Sequence, residues 1–179
     1  MSTHQPAPLT VLDLDGSAGA ALLALNNAHA VELSWLAPER LRSLVAQAFL
    51  ARRIATADAL LLAFDQDAGY DSPNFLWFRA RFPRFVYVDR VVVAPAARGR
   101  GCAHALYDDL FRHAAAAGHG RIVCEVNVDP PNPASDAFHR ARGFRTVATA
   151  TLAGGSKTVR YLVRDPAQNG SSTSSSCCP

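Results

Sequence analysis

The stretch Arg98-Gly99-Arg100-Gly101-Cys102-Ala103 stands between a β-branched run that closes at Pro95 and an apolar pattern of helical spacing. Such residues at such a junction bind anions. The first N–H groups of a helix have no internal acceptor and together carry about half a positive charge. Gly99 and Gly101 let the main chain approach a ligand closely, because no Cβ intervenes. Arg98 and Arg100 add charge, so two linked phosphates suit the bend on electrostatic grounds. A nucleoside triphosphate is excluded, since G-x-x-x-x-G-K-[ST] is absent. A dinucleotide asks for a third glycine where His104 stands, yet Glu125 lies at the distance expected of a ribose contact, and that reading stays open. So does the plain one, a glycine-rich turn with no ligand.

Periodicity supplies the elements that hold the bend. Residues 85–94 (FVYVDRVVVA) are β-branched and aromatic and predict a strand. Its Val91-Val92-Val93 end is apolar on both faces, as in a covered parallel sheet. Ala103, Leu106, Tyr107, Leu110, Phe111 and Ala114 follow helical spacing up to Gly118. Residues 122–128 are the next strand, so the pair with its helix is one βαβ unit and its strands run parallel. Upstream, 9–14 reads as a short strand, 18–35 as a helix, 38–49 as a helix opened by Pro38, and 58–64 as a buried strand. Residues 75–82 fit a helical turn or a strand equally. Downstream, Asn132 caps a short helix that Gly143 stops, and 144–152 with 158–163 form a hairpin about Gly154-Gly155. The class is α/β, mixed. Residues 1–165 make one domain, and the polar, serine-rich 166–179 reads as a disordered tail.

Composition narrows the setting. The chain has 179 residues, 49% hydrophobic and 18% charged, enough to build a core without a staple. A formal charge of +3 is too mild to argue for a nucleic-acid partner. Cys102 and Cys124 sit in apolar stretches, Cys177 and Cys178 are adjacent in the tail, and no zinc spacing appears, so no metal is expected. The longest apolar stretch, 18–36, is broken by Asn26, Asn27, His29 and Glu32, so no membrane span fits. Residues 1–8 lack the charged region and apolar core of a signal peptide, and a cytoplasmic protein is expected.

A second motif strengthens one ligand. Arg98-Gly99-Arg100-Gly101-Cys102-Ala103 matches every fixed position of the Q/R-x-x-G-x-G/A phosphate loop, and N-x-x-A-x-x-[LF]-Y-x-x-x-G-F is met downstream at Asn132, Phe138, Gly143 and Phe144. Ser135 and His139 depart from it. In this order and spacing, over about 86–163, the chain resembles the GNAT superfamily of acyl-coenzyme A-dependent N-acyltransferases. The resemblance implies a single GNAT-like domain, with helices on both faces of a central twisted mixed sheet. That sheet splays between the parallel strands 85–94 and 121–128. It implies acetyl-CoA as cofactor, with pantetheine along Val91, Val92 and Val93, and pyrophosphate on the amides of 98–103. Asn132, Ser135 and Phe138 complete the cofactor side. An acceptor amine, small by this reading, enters near the first two helices and the 65–74 loop.

Direct transfer needs a base for the ammonium proton and, at most, an acid for the departing thiolate. Asp89 and Glu125 are the candidate bases, with a structural ion pair as the alternative for each. Asp89 is expected on the face of Tyr87, Val91 and Val93. His139 stands where the family often has a tyrosine acid; the alternative is a plain helix histidine. Asn26, His29, Glu32, Asp71 and Asn74 are the candidate acceptor contacts. The loop acids Asp65, Asp67 and Asp71 favour a cationic amine. Asn26 and His29 interrupt an apolar helix face, either as a pocket wall or as a helix edge with satisfied polar groups. A cofactor-sensing module without turnover, and a nucleotide-binding enzyme, are the competing classes. The hairpin 144–163 is a candidate for pairing two copies.

Overall fold

The structure, a computed structural model, describes residues 9–14, 16–152 and 157–165. The tip of the expected hairpin (153–156) and the expected tail (166–179) lie outside the described residues. One sheet holds β1 (Leu9–Val11), β2 (Leu50–Ile54), β3 (Ala59–Asp65), β4 (Val86–Val93), β5 (Ile122–Asp129), β6 (Arg145–Thr151) and β7 (Thr158–Arg164). Its order is β1-β2-β3-β4-β5-β7-β6, and only β4 and β5 pair in parallel. The helices are α1 (Ser17–Ala28), α2 (Ala30–Leu33), α3 (Pro38–Gln47), α4 (Pro73–Arg79), α5 (Cys102–Ala116) and α6 (Pro133–Ala141).

Strand β3 shows why two layers of helix are needed. It is buried on both faces: Leu60, Leu62 and Phe64 join a core with Leu22, Leu44 and Phe75, whereas Leu61 and Ala63 join a second with Leu106 and Leu110. Thus α1, α3 and α4 cover one face and α5 the other. A run this apolar has no exposed side, as expected of a covered sheet.

The splay has a local cause. Parallel pairing is confined to Val86↔Ile122 and Tyr87↔Val123, while β4 stays on β3 as far as Val93↔Ala59. Opposite that divergence, the β3–β4 register slips: Leu62 faces Arg90 and Ala63 faces Val88, leaving Asp89 as an extra residue. A bulge bends its strand and increases twist. It also flips side-chain parity. Tyr87 lies in the α1/α3/α4 core and so does Val92, but Val88, Val91 and Val93 pack toward α5. The expectation that Asp89 shares a face with Tyr87, Val91 and Val93 is therefore corrected, because the bulge adds one residue between them.

Other boundaries moved for local reasons. The expected helix 18–35 breaks at His29, which ends α1 and precedes α2. Residues 75–82 resolve into α4, because Pro73 occupies its first turn and starts it. Strand β2 was not anticipated; Arg52 and Arg53 mask its alternation, and Arg52 is there to meet the buried Asp109 at 2.8 Å. At α6, as expected of an Asn-Pro start, Asn132 Oδ1 accepts from the Ser135 amide at 3.2 Å with Pro133 in the first turn. Asn132→Ala should lower stability by about 1 kcal/mol, read as a shift of the thermal midpoint that Asn132→Asp largely avoids.

Candidate active site

The fork between β4 and β5 opens into a cleft of about 740 Å³ that runs to the bend at 98–103. Gly99 and Gly101 adopt φ of +74° and +77°, a left-handed backbone that most residues with a side chain reach only under strain. A Cβ at either would meet nothing within 4 Å, so open space lies in front of the bend. Gly101 is the N-cap of α5 and no side chain caps the helix. Its first N–H groups therefore need an outside acceptor. Val91, Val92, Val93, Cys102, Ala103 and Phe138 wall the same cleft, as do Asn132 and Ser135. Arg98 faces it, but Arg100 does not: its guanidinium pairs with Asp58 at 3.3 Å. What Arg100 offers an anion is main chain.

Both candidate carboxylates line the cleft, in different states. Glu125 Oε1 accepts from Asn74 Nδ2 at 2.9 Å and from the Tyr87 hydroxyl at 3.1 Å. Tyr161 donates to Asn74 Oδ1 at 3.0 Å, which turns the Asn74 NH2 toward Glu125. Oε2 is buried and has no hydrogen-bond partner among the described residues. Burial and, second, the negative charge of Asp89 push Glu125 up to about 7. Asp89 is committed instead. Its Oδ1 accepts the Tyr70 hydroxyl at 2.7 Å, and its Oδ2 lies 3.0 Å from Arg90 Nε as an ion pair without a hydrogen bond. Burial raises its pKa and Arg90 opposes that rise.

His139 lies in the cleft wall with both ring nitrogens used. Nδ1 donates to the Ser135 carbonyl at 2.8 Å, so Nε2 accepts the Tyr107 hydroxyl at 2.6 Å. Burial pushes the imidazole below its usual value and the Tyr107 phenol well above its own. The two groups form a neutral pair.

The acceptor-side candidates separate. Asn74 belongs to the Glu125 network. Asn26 is fully buried; its Oδ1 accepts Arg90 Nη1 at 2.8 Å and its Nδ2 donates to Ser34 O at 3.2 Å. It therefore ties helix to strand rather than facing a ligand. His29 lines the cleft, and its Nε2 meets Arg98 Nη2 at 3.2 Å. Asp71 is exposed and paired with Arg40 at 2.5 Å, and neither it nor Asp65 nor Asp67 lines the cleft. The side chain of Glu32 lies outside the described residues. Sequence reasoning missed Tyr87, Tyr107, Tyr161 and Arg90. Each sits in an apolar run, and its polar end meets a partner distant in sequence on another element: Glu125 for Tyr87, His139 for Tyr107, Asn74 for Tyr161 and Asn26 for Arg90.

Among the described residues no cluster of His, Cys, Asp or Glu could hold a metal, and no helix is long and apolar enough to cross a membrane. Solved structures share this architecture. The NatC complex bound to Gag peptide and CoA superposes with a TM-score of 0.68 at 14% identity, covering 88% of this chain and 97% of that one. The ribosomal-protein-S18-alanine N-acetyltransferase from Escherichia coli gives 0.63 at 13%, covering 92% and 97%. A curated relative, the L-2,4-diaminobutyric acid acetyltransferase of Nocardia farcinica (strain IFM 10152), is 37% identical over 75 residues. That match takes in 42% of this chain and 38% of the relative, so the likeness spans well under half of that protein. The profile of the acetyltransferase (GNAT) family matches residues 41–144, from α3 through the 98–103 bend to the residue before β6. With the forked sheet and the glycine bend in place, the chain belongs to the acetyltransferase (GNAT) family.

Proposed function

We propose that this chain transfers an acetyl group from acetyl-CoA to an amine by direct attack, with Glu125 as the general base. The observation that carries the reading is the free, buried Oε2 of Glu125 at the fork, on a carboxyl raised to about 7. The residues present suit coenzyme A. The uncapped start of α5 and the bend at 98–103 take the pyrophosphate. Beyond Tyr87, the β4 edge that faces β5 has no strand partner among the described residues, which leaves it for the pantetheine amides. When bound, acetyl-CoA supplies an activated acetyl thioester and a thiolate leaving group. Glu125 removes the ammonium proton at Oε2, and Asn74 and Tyr87 hold the carboxylate while it does so. Asp89, locked to Arg90 and Tyr70, shapes that site through its charge.

Tyr107 and His139 then stabilise the wall rather than protonate sulfur. The expected kcat–pH profile rises once, near 7, and stays flat into the alkaline range. A descending alkaline limb that vanishes in His139→Asn would assign the acid role to this pair instead.

The function is tested by thiol release from acetyl-CoA across an amine panel that includes a short diamino acid, the acceptor class of the curated relative's name. Amine-dependent release is expected. Stabilisation by CoA (about 2.7 kcal/mol at a hundred times Kd) with no release from any amine would make the chain a sensing module. Stabilisation by NAD and not by CoA would make it a nucleotide-binding protein.

A further inference from the structure

Tyr161 stands opposite Glu125 in the β5–β7 ladder, so the sheet sets the two side chains next to each other on one face. Helix α4 grips Tyr161 at both ends. Trp77 stacks on its ring, with 4.2 Å between centroids and 20° between planes, and Phe78 meets it edge-on at 5.2 Å. One turn earlier on the same helix, Asn74 Oδ1 accepts the Tyr161 hydroxyl at 3.0 Å. Both residues are buried, at 2% exposure for Tyr161 and 8% for Asn74.

The core has no need of that hydroxyl. Phenylalanine would fill the slot against Trp77 and Phe78, and buried polar atoms cost free energy unless they are paired. What the hydroxyl adds is direction. An ionised carboxylate only accepts, whereas an amide accepts at its oxygen and donates at its nitrogen. With Tyr161 donating to Oδ1, Asn74 presents Nδ2 to Glu125 Oε1 at 2.9 Å. Turned over, the amide would set its oxygen against the carboxylate. The phenol would then have to accept, its weaker role, because its oxygen lone pair is shared with the ring. Hydrogen bonds in series also polarise one another, so the donation from Tyr161 strengthens the one that Glu125 receives. A hydrogen bond to the charged form favours that form.

We propose that Tyr161 is a positioning residue for Glu125: acting through Asn74, it fixes the amide as a donor and so sets the pH above which the base is free of its proton. This rests on the acetyltransferase reading, in which Glu125 is the base. The other titratable groups that act on Glu125 stay in place when only the hydroxyl is removed. They are Asp89 and Tyr87 from β4, Lys157 beside β7, Tyr70 ahead of α4, Tyr107 from α5, and the neighbouring Cys124.

Tyr161→Phe keeps the ring and its stack. The midpoint of its kcat–pH rise should lie above the wild-type midpoint by about one pH unit, so that activity falls about fivefold at pH 7 and by less than about twofold at pH 9. The KM of acetyl-CoA should not move. A purely structural loss would lower activity equally at every pH. Asn74→Ala should raise the midpoint as well, and adding Tyr161→Phe to it should raise it no further. Ionisation of Glu125 is also read without turnover, by carbon NMR of protein labelled at its glutamate carboxyls. The chain has three glutamates, Glu32, Glu39 and Glu125, and the Glu125 signal is the one absent from Glu125→Gln. Its midpoint should rise in Tyr161→Phe, a result that needs neither an acceptor nor the Asn74 variants. An unmoved Glu125 signal in folded Tyr161→Phe, or an undiminished rise when Tyr161→Phe is added to Asn74→Ala, overturns the proposal. If the signal moves but the activity profile stays where it was, or no amine is acetylated, Glu125 is not the base and the positioning role stands.

Discussion

Glu125→Gln should lower kcat by about 10²–10⁴-fold, the range a positioned general base contributes, while leaving the KM of acetyl-CoA near its wild-type value. The substitution keeps the acceptor of the Asn74 and Tyr87 hydrogen bonds and removes only the basic oxygen. The rise of activity with pH near 7 should vanish with it, since the carboxyl raised to about 7 is the group that must lose its proton. The stability effect has the opposite sign. Glu125 is raised from an ordinary value of 4.5, so between 4.5 and 7 the folded protein holds a proton that the unfolded chain has released. Ionising Glu125 therefore destabilises the fold as pH climbs through that window, and the loss persists above it. At pH 8 the Gln variant should melt at or above the wild-type temperature while being nearly inactive. Asp89→Asn should do the reverse. It leaves the buried Arg90 without its carboxylate, so it should lower the melting temperature, and it removes a charge that helps raise Glu125, so the pH rise should persist but move below 7. An active Glu125→Gln, with the rise intact, would move the base elsewhere.

That contrast shows what the chain discloses in one dimension and what it conceals. The bend at 98–103 was legible because left-handed backbone is a local demand, and Gly99 and Gly101 meet it where they stand. The cap at Asn132 was legible for the same reason. The bulge at Asp89 was not, because Val-Tyr-Val-Asp-Arg-Val-Val-Val carries no glycine or proline to mark it; it exists through the register with β3. The different settings of Glu125 and Asp89 were hidden for a related reason. They depend on Asn74 of α4 meeting Tyr161 of β7, and on Arg90 pairing with Asp89 rather than Glu125. Arg90 itself reads as a polar interruption of a strand. In the fold it joins Asp89, Asn26 and the strained Ser34 carbonyl.

Gly101→Glu should weaken coenzyme A binding by about 100-fold or more, measured by titration calorimetry on the folded variant. Two effects combine. At φ +77° a side chain costs roughly 1–2 kcal/mol of backbone energy, which falls on the folded protein whether or not ligand is present. The second effect acts only on binding. A Cβ at this position meets no atom within 4 Å, so the new carboxylate projects into the space the phosphates would fill. Like charges about 4 Å apart at an effective dielectric of 20 repel by about 4 kcal/mol, and each 1.4 kcal/mol is about tenfold in affinity. Gly101→Asn separates the two, because asparagine tolerates left-handed backbone and adds no charge. It should bind within about tenfold of wild type, whereas Gly101→Glu should not. Equal affinities for the glutamate variant and the wild type would mean that the α5 terminus does not hold the phosphates, and the cleft would then need a different occupant.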